Sequence, residues 1–323
     1  RYVIGLACVL VTALVAAGVA WYQPIVRCGS FNPFSQIRLA NGECIGVTDG
    51  AYEFDPDFHT VQAAIKSEND WVAKQHETQG TPAVKIALLS TLTVNDTSPL
   101  NRAQVRHSIE GAYVAQRRAN RTEEFKSREP LIQLVLANEG STQHAWKATT
   151  NQLIDMTNDD IPLAVVMGQG ISTSFTTDAA EKLSNAGIPI VTGTTMADNL
   201  DNAHIPGLIR AAPSNTDAAI AIRRYLDSQS ELNSGILVFD NESSDTFVTS
   251  LKAAFETHLD SYFAGSDQPY PGSSITQNGL NVFDQITQNI CLADTDMVFF
   301  AGRAPDFEIF LDSLAARICA DRH

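Results

Sequence analysis

From residue 83 onward the chain alternates short, nearly continuous apolar runs with longer segments whose apolar residues recur every three or four positions. The runs Val84 to Leu89, Leu131 to Ala137, Leu163 to Met167 and Ile190 to Thr192 are too short for helices. They read as strands buried on both faces. Between them, Arg102 to Arg118 sets Val105, Ile109, Ala112 and Tyr113 at helical intervals. Helices are also predicted over Gln143 to Met156 and over Thr176 to Ala186, the latter stopped by Gly187. Strict alternation of this kind calls for a parallel sheet with right-handed crossovers and helices on both faces.

The pattern then repeats. A helix is predicted over Asn215 to Ser228, a strand over Gly235 to Asp240, and helices over Asp245 to Leu259 and Leu280 to Ile290. A strand at Met297 to Phe300 and a helix over Asp306 to Ile318 follow. Pro206 to Pro213 lies between the two sets as a short extended piece and reads as a crossing from one α/β lobe to another. Two such lobes leave a cleft at the carboxyl ends of their strands, where open α/β sheets bind ligands.

The amino-terminal part is different. Val3 to Tyr22 is uncharged throughout and about 30 Å long as a helix, the hydrocarbon thickness of a bilayer. It ends in Trp21 and Tyr22, rings that favour the headgroup region. A secretory signal is shorter and ends at a small-residue cleavage site, so an uncleaved anchor is the expectation, with Cys8 a membrane cysteine. An irregular stretch rich in Gly, Asn and Asp follows to about Pro56. His59 to Gln75 then has helical spacing, with Val61, Ala64, Ile65 and Val72 on one side.

The 323 residues carry a net charge of −15, which argues against nucleic acid as a partner, since phosphate neutralisation needs clustered Lys and Arg. Of the five Cys, four lie beyond the anchor in two local pairs, Cys28 with Cys44 and Cys291 with Cys319. The second pair flanks a strand and its returning helix, which bring their ends to the same edge. No CxxC or Cys/His cluster offers a zinc site. Two disulfides place the bulk of the chain in an oxidising, extracytoplasmic compartment.

Catalytic signatures are absent from the sequence. There is no GxxxxGK[ST] loop and no GxGxxG after a strand, and Gly168 to Ser172 reads GQGIS rather than GxSxG. The seven His are scattered with none at i, i+4 spacing, so neither cofactor, metal nor enzymatic activity is expected. What stands out is small hydroxyl residues at strand ends. Leu163 to Met167 runs into GQGISTS, and Ile190 to Thr192 into GTT. Adjacent parallel strands would put both loops on one rim. Hydroxyls there, with the backbone N–H groups of a helix start, suit a small anion such as a carboxylate. The same residues also suit plain helix caps.

Several segments, in order, carry a family resemblance: Lys85 to Ser90, Glu110 to Ala115, Val165 to Ser174, Ala186 to Thr195, Ile209 to Pro213 and Met297 to Gly302. Residues 84 to 323 resemble the type I periplasmic solute-binding proteins, in particular the branched-chain amino acid (leucine/isoleucine/valine) binding group of ABC transporters. The resemblance implies that Ser172, with Thr173, Thr194 and Thr195, binds a ligand carboxylate, and that Ser90 and Thr91 line the same lobe. Ser244 stands near the position where the family places an aromatic residue in its second lobe, a departure from a leucine-like ligand. The chain starts with Arg1 and stops where the family crosses back, so both ends are expected to be cuts, with the second part of lobe 1 missing.

The expected organisation is a transmembrane anchor over 1–22, an extracytoplasmic stalk over 23–82 with a helix at about 59–75, a partial binding lobe 1 over 83–208 and a partial lobe 2 over 209–323. The expected function is a single-pass, non-enzymatic solute-binding protein. It would capture a small amino-acid-like ligand between its lobes and present it to the permease of an ABC importer. The alternative is the sensing ectodomain of a single-span receptor with a cytoplasmic output domain.

Overall fold

The computed structural model describes residues 28, 36–95, 98–124, 129–241, 245–272 and 282–319. The expected anchor, Val3 to Tyr22, lies outside them; among the described residues no helix is long and apolar enough to cross a membrane. The first strands are ones the hydrophobic pattern hides. β1 (Ile37–Ala40) and β2 (Glu43–Thr48) pair antiparallel through a turn at Asn41 and Gly42, both at positive φ. Asn-Gly is the favoured pair for such a two-residue hairpin, because both positions need left-handed backbone.

After α1 (His59–Gln79) come β3 (Ala83–Ser90), α2 (Arg102–Arg121), β4 (Leu131–Asn138), α3 (Trp146–Asp155), β5 (Leu163–Gly168), α4 (Ser174–Asn185), β6 (Ile190–Thr192) and β7 (Leu208–Arg210). The alternation predicted for this part is present, with helix ends moved by a turn or less. The sheet order is β1-β2-β4-β3-β5-β6-β7, and β4, β3, β5 and β6 pair in parallel. Residues 36–82, expected as part of a stalk, are built into this sheet and its helical cover. The extended crossing after Pro206 proves to be the sheet's seventh strand.

The chain then forms α5 (Asn215–Leu226), β8 (Gly235–Asp240), α6 (Thr246–His258), β9 (Gln268–Tyr270), α7 (Asp284–Ala293), β10 (Met297–Ala301) and α8 (Ala304–Ala315). β8 pairs in parallel with β10 on one side and β9 on the other. Its side chains alternate as a strand requires: Leu237 packs with Ala219, Phe255 and Phe299, while Ile236 and Val238 pack with Tyr270, Phe283 and Phe310. Both expected disulfides form, Cys28–Cys44 and Cys291–Cys319, the latter joining the last turn of α7 to the chain just past α8.

Contacts divide the chain into two compact units. One comprises 1–170, 178–192 and 207–209; the other comprises 171–177, 193–206 and 210–323. The lobe boundary expected at 208/209 therefore falls at β7. Two loops, 171–177 and 193–206, group with the second unit because they bond to each other and to residues beyond 210.

In the first unit, α1 and α2 cover one face of β3 and β4, burying Val61, Ile65, Val105 and Ile109 against Leu88, Leu134 and Leu136. Polar side chains sit inside this apolar layer. β2 pairs with β4 only at Leu136 to Asn138, so the lower part of β4 has no strand on that side. Asn69 of α1 supplies the missing bonds at Leu134, donating to its carbonyl (2.7 Å) and accepting its N–H (2.9 Å). Asn120 of α2 does the same at Ile132, at 3.0 and 2.8 Å. Gln116 ties the two helices by donating to Asn69 Oδ1 (2.8 Å).

Beside them the buried Glu68 accepts a bidentate pair from Arg121, and the Arg121 guanidinium lies 3.4 Å over the Trp71 ring. Replacing Asn69 with leucine keeps the branched shape but strips Leu134 of both partners. Asn69→Leu should lower the stability by about 2–4 kcal/mol, read as a fall in the urea midpoint; an unchanged midpoint would reject this role.

Candidate functional site

The carboxyl ends of β4, β3 and β5 form a rim in the first unit. Asn138 organises it: its side-chain oxygen accepts from the N–H groups of Leu92 (2.9 Å) and Gly140 (3.0 Å), and its amide donates to the Cys44 carbonyl and Thr93 Oγ1. The Glu139 N–H donates to the Ser90 carbonyl, and the Gln169 N–H to the Leu89 carbonyl. The loop after β5 runs through Gly168, Gln169 and Gly170, all at positive φ. It lies so close to β3 that a Cβ on Gly170 would stand 3.1 Å from Ser90 Oγ.

Ser90 and Thr91, both expected site residues, are buried here. Thr91, Glu139 and Gln169 are each only 1 % exposed. Among the described residues Thr91 Oγ1, Glu139 Oε2 and both amide atoms of Gln169 lack a hydrogen-bond partner. Glu139 Oε1 accepts from Gln143 Nε2 at 2.8 Å. Burial pushes the Glu139 carboxyl up to about 7, with the Gln143 bond pulling the other way.

Ser172, Thr173, Thr194 and Thr195 belong to the second unit. Ser172 Oγ accepts the N–H groups of Met196 (3.2 Å) and Ala197 (3.3 Å), which joins the loop after β5 to the loop after β6. Both bonds are accepted, so the hydroxyl proton is still available to donate. The Ser172 carbonyl accepts from Phe247 N–H and from Arg303 Nη2. Thr173 is a cap: its Oγ1 accepts the Thr176 N–H at the start of α4. Thr194 is exposed and Thr195 fully buried. Ser244 lies outside the described residues.

The hydroxyl search overlooked the charged groups of this unit. Asp245 caps α6 by accepting from Phe247 and Val248, and its carboxylate pairs with Arg303 at 2.7 and 2.9 Å. Arg303 follows β10 and also lies 4.9 Å over the Phe247 ring. Across the same strand ends Tyr270 donates to Asp306 at 3.0 Å. Burial, then the Asp240 and Asp245 charges, hold the Asp306 carboxyl up at about 6 against the Tyr270 bond, and burial, then the Asp306 and Asp240 charges, raise the Tyr270 hydroxyl. Charged residues just beyond predicted strands, Asp245 after β8 and Arg303 after β10, were the available signal.

The raised Glu139 value has a definite consequence. Folded Glu139 keeps its proton up to about pH 7, while the unfolded chain releases it near 4.5. The stability contribution is thus fully present below about pH 4.5 and is lost as pH rises to 7. Glu139→Gln should be more stable than the parent at pH 8, by an order of about 3 kcal/mol at most, with the gap closing toward pH 4.5. Parallel denaturation curves at every pH would contradict the burial argument.

No protein-family model matches the sequence, and no curated protein matches it. Solved structures do. An ABC transporter substrate-binding protein from Desulfitobacterium hafniense in complex with Leu is 18% identical with a TM-score of 0.54, covering 73% of this chain and 64% of that one. The leucine binding protein LivK from Thermotoga maritima is 16% identical with a TM-score of 0.53, covering 72% and 60%. A periplasmic binding protein from Burkholderia mallei is 13% identical with a TM-score of 0.51, covering 72% and 57%. The chain thus spans less than two thirds of the length of these structures. At such identities the likeness is one of fold: the chain has the type I periplasmic-binding-protein fold.

Proposed function

We propose that this chain is an extracytoplasmic solute-binding protein, anchored through Val3 to Tyr22, that captures a small amino-acid-like carboxylate ligand and presents it to an ABC importer. The observation that carries the reading is the Ser172 hydroxyl of the second unit within this fold. Ser172 ties the loops after β5 and β6 together and keeps an O–H to donate. A donor fixed in this way suits a carboxylate, because its geometry is set before the ligand arrives. The fold neighbours named as ABC transporter substrate-binding and leucine binding proteins support the same reading. The two disulfides support an oxidising compartment.

A thermal-shift screen of amino acids and related small acids tests this reading. At about 100 times its Kd a cognate ligand adds about 2.7 kcal/mol of stability, a rise of several degrees. A folded chain whose melting no small carboxylate moves would reject the reading. Ser172→Ala should weaken carboxylate binding by about 1–3 kcal/mol in calorimetry, and unchanged affinity would remove Ser172 from the site. The same variant drops two accepted backbone bonds, so its urea midpoint is measured alongside. Alkylation of native material should leave Cys28, Cys44, Cys291 and Cys319 unlabelled until reduction. Free thiols there would contradict the compartment.

A further inference from the structure

The strand ends of the second unit carry more acid than base. Asp240 ends β8, Asp245 caps α6 and Asp306 stands in the first turn of α8, while Arg303, the N-cap of α8, is the basic side chain of the group. Each is held in place. Asp240 Oδ1 accepts the Gly272 N–H (3.0 Å), Tyr270 donates to Asp306 (3.0 Å), and Asp245 takes Arg303 at 2.7 and 2.9 Å. The Tyr270 hydroxyl also packs on the backbone beside Arg303, since a Cβ on Gly302 would collide with it. Asp306 is thus fixed against the short segment that carries Arg303.

Arg303 leads on to the Ser172 hydroxyl. Its Nη2 donates to the Ser172 carbonyl (2.9 Å), which also accepts the Phe247 N–H (3.2 Å). A ring of bonds then returns to the same residue. Asn215 Nδ2 donates to the Phe247 carbonyl (3.0 Å), Asn215 N–H to the Met196 carbonyl (2.8 Å), and Met196 N–H to Ser172 Oγ (3.2 Å). The ring closes, so the hydroxyl cannot shift without breaking a bond, and Arg303 grips the ring at the Ser172 carbonyl.

We propose that carboxylate binding at Ser172 is coupled to uptake of a proton by Asp306, through the Asp245–Arg303 pair that joins the two. The physical reason is charge. Asp240, Asp245 and Asp306 share these strand ends with one guanidinium already committed to Asp245, so a ligand carboxylate would bring a fourth negative charge. Neutralising Asp306 removes one of the three.

The groups acting on Asp306 are Asp240 of β8, Asp245 of α6, Tyr270 of β9 and Arg303 of its own helical turn. Burial and the two aspartates favour its protonated form, Tyr270 and Arg303 its ionised form, and the balance falls at about 6. An arriving anion tips that balance toward the proton, and by reciprocity the proton tightens the anion. The inference rests on the solute-binding reading and adds its regulation: the ligand is held more tightly in acid than in neutral surroundings.

The test is calorimetry on the full chain with its disulfides intact, with acetate, glycine, L-leucine and L-glutamate as probes at pH 5.0 and 7.5. Asp306→Asn keeps an acceptor for Tyr270 and stands for the protonated form. For a probe that binds, the variant should bind about fivefold tighter than the parent at pH 7.5 and equally at pH 5.0, the effect of one nearby charge in a partly solvated site. Near pH 6.4 the parent should take up about 0.4 of a proton more than the variant per ligand bound, read from buffers of different ionisation enthalpy. Tyr270→Phe removes the bond that favours the ionised form, so it should move the midpoint of the parent's affinity profile up from about 6.

Parent and Asp306→Asn binding alike at pH 7.5, or a Tyr270→Phe profile that does not move up, would overturn the coupling and leave the solute-binding reading standing. Binding of no probe by a cooperatively folded chain at either pH would count against both.

Discussion

A central strand must have its backbone hydrogen bonds met on both sides, and β4 outruns its neighbour β2. The rest of the first unit is arranged around that mismatch. Side-chain amides complete the edge, Asn69 at Leu134 and Asn120 at Ile132, each making the two bonds a peptide would have made. Because those amides belong to α1 and α2, the edge also fixes where both helices sit. Gln116 and the Glu68–Arg121 pair then lock the helices to each other. Leaving these polar atoms unmet would cost about 1–3 kcal/mol each, comparable to deleting a large core side chain.

The same device recurs at the other end of β4. Asn138 holds the loops after β3 and β4 and reaches the Cys44 carbonyl on β2. Thr91, Glu139 and Gln169 stand at strand ends whose backbone is held by the Asn138 frame and the Glu139 and Gln169 N–H bonds. In the second unit the equivalent positions are filled by charge: Arg303 is clamped by Asp245 and lies over Phe247, leaving the Ser172 loop firmly tied.

Legibility varied with the kind of signal. Strands β3, β4, β5, β6, β8 and β10 were readable because burial on both faces demands continuous apolar runs. β1, β2, β7 and β9 were not, because charged, polar, Gly or Pro residues interrupt their apolar runs. The Asn41-Gly42 turn was the one local clue to the hairpin. Both cystine pairs were readable from their positions around a loop and around a strand–helix return. Of the hydroxyls, Ser172 and Thr173 looked equivalent in sequence. Position alone made one the tie between two loops and the other a helix cap.

The amino-acid sequence by itself determined the alternation of strand and helix, hence a parallel α/β fold, and the cystine pairing. These follow from local periodicity and from short chain separations. Only the tertiary structure decided which polar residues are structural and which are left unmatched. Glu68 and Glu139 are both buried acids; one meets an arginine 53 residues away on another helix and the other meets a single amide. That difference comes from long-range neighbours, and a buried charge is defined by what lies beside it in space, which no local pattern records.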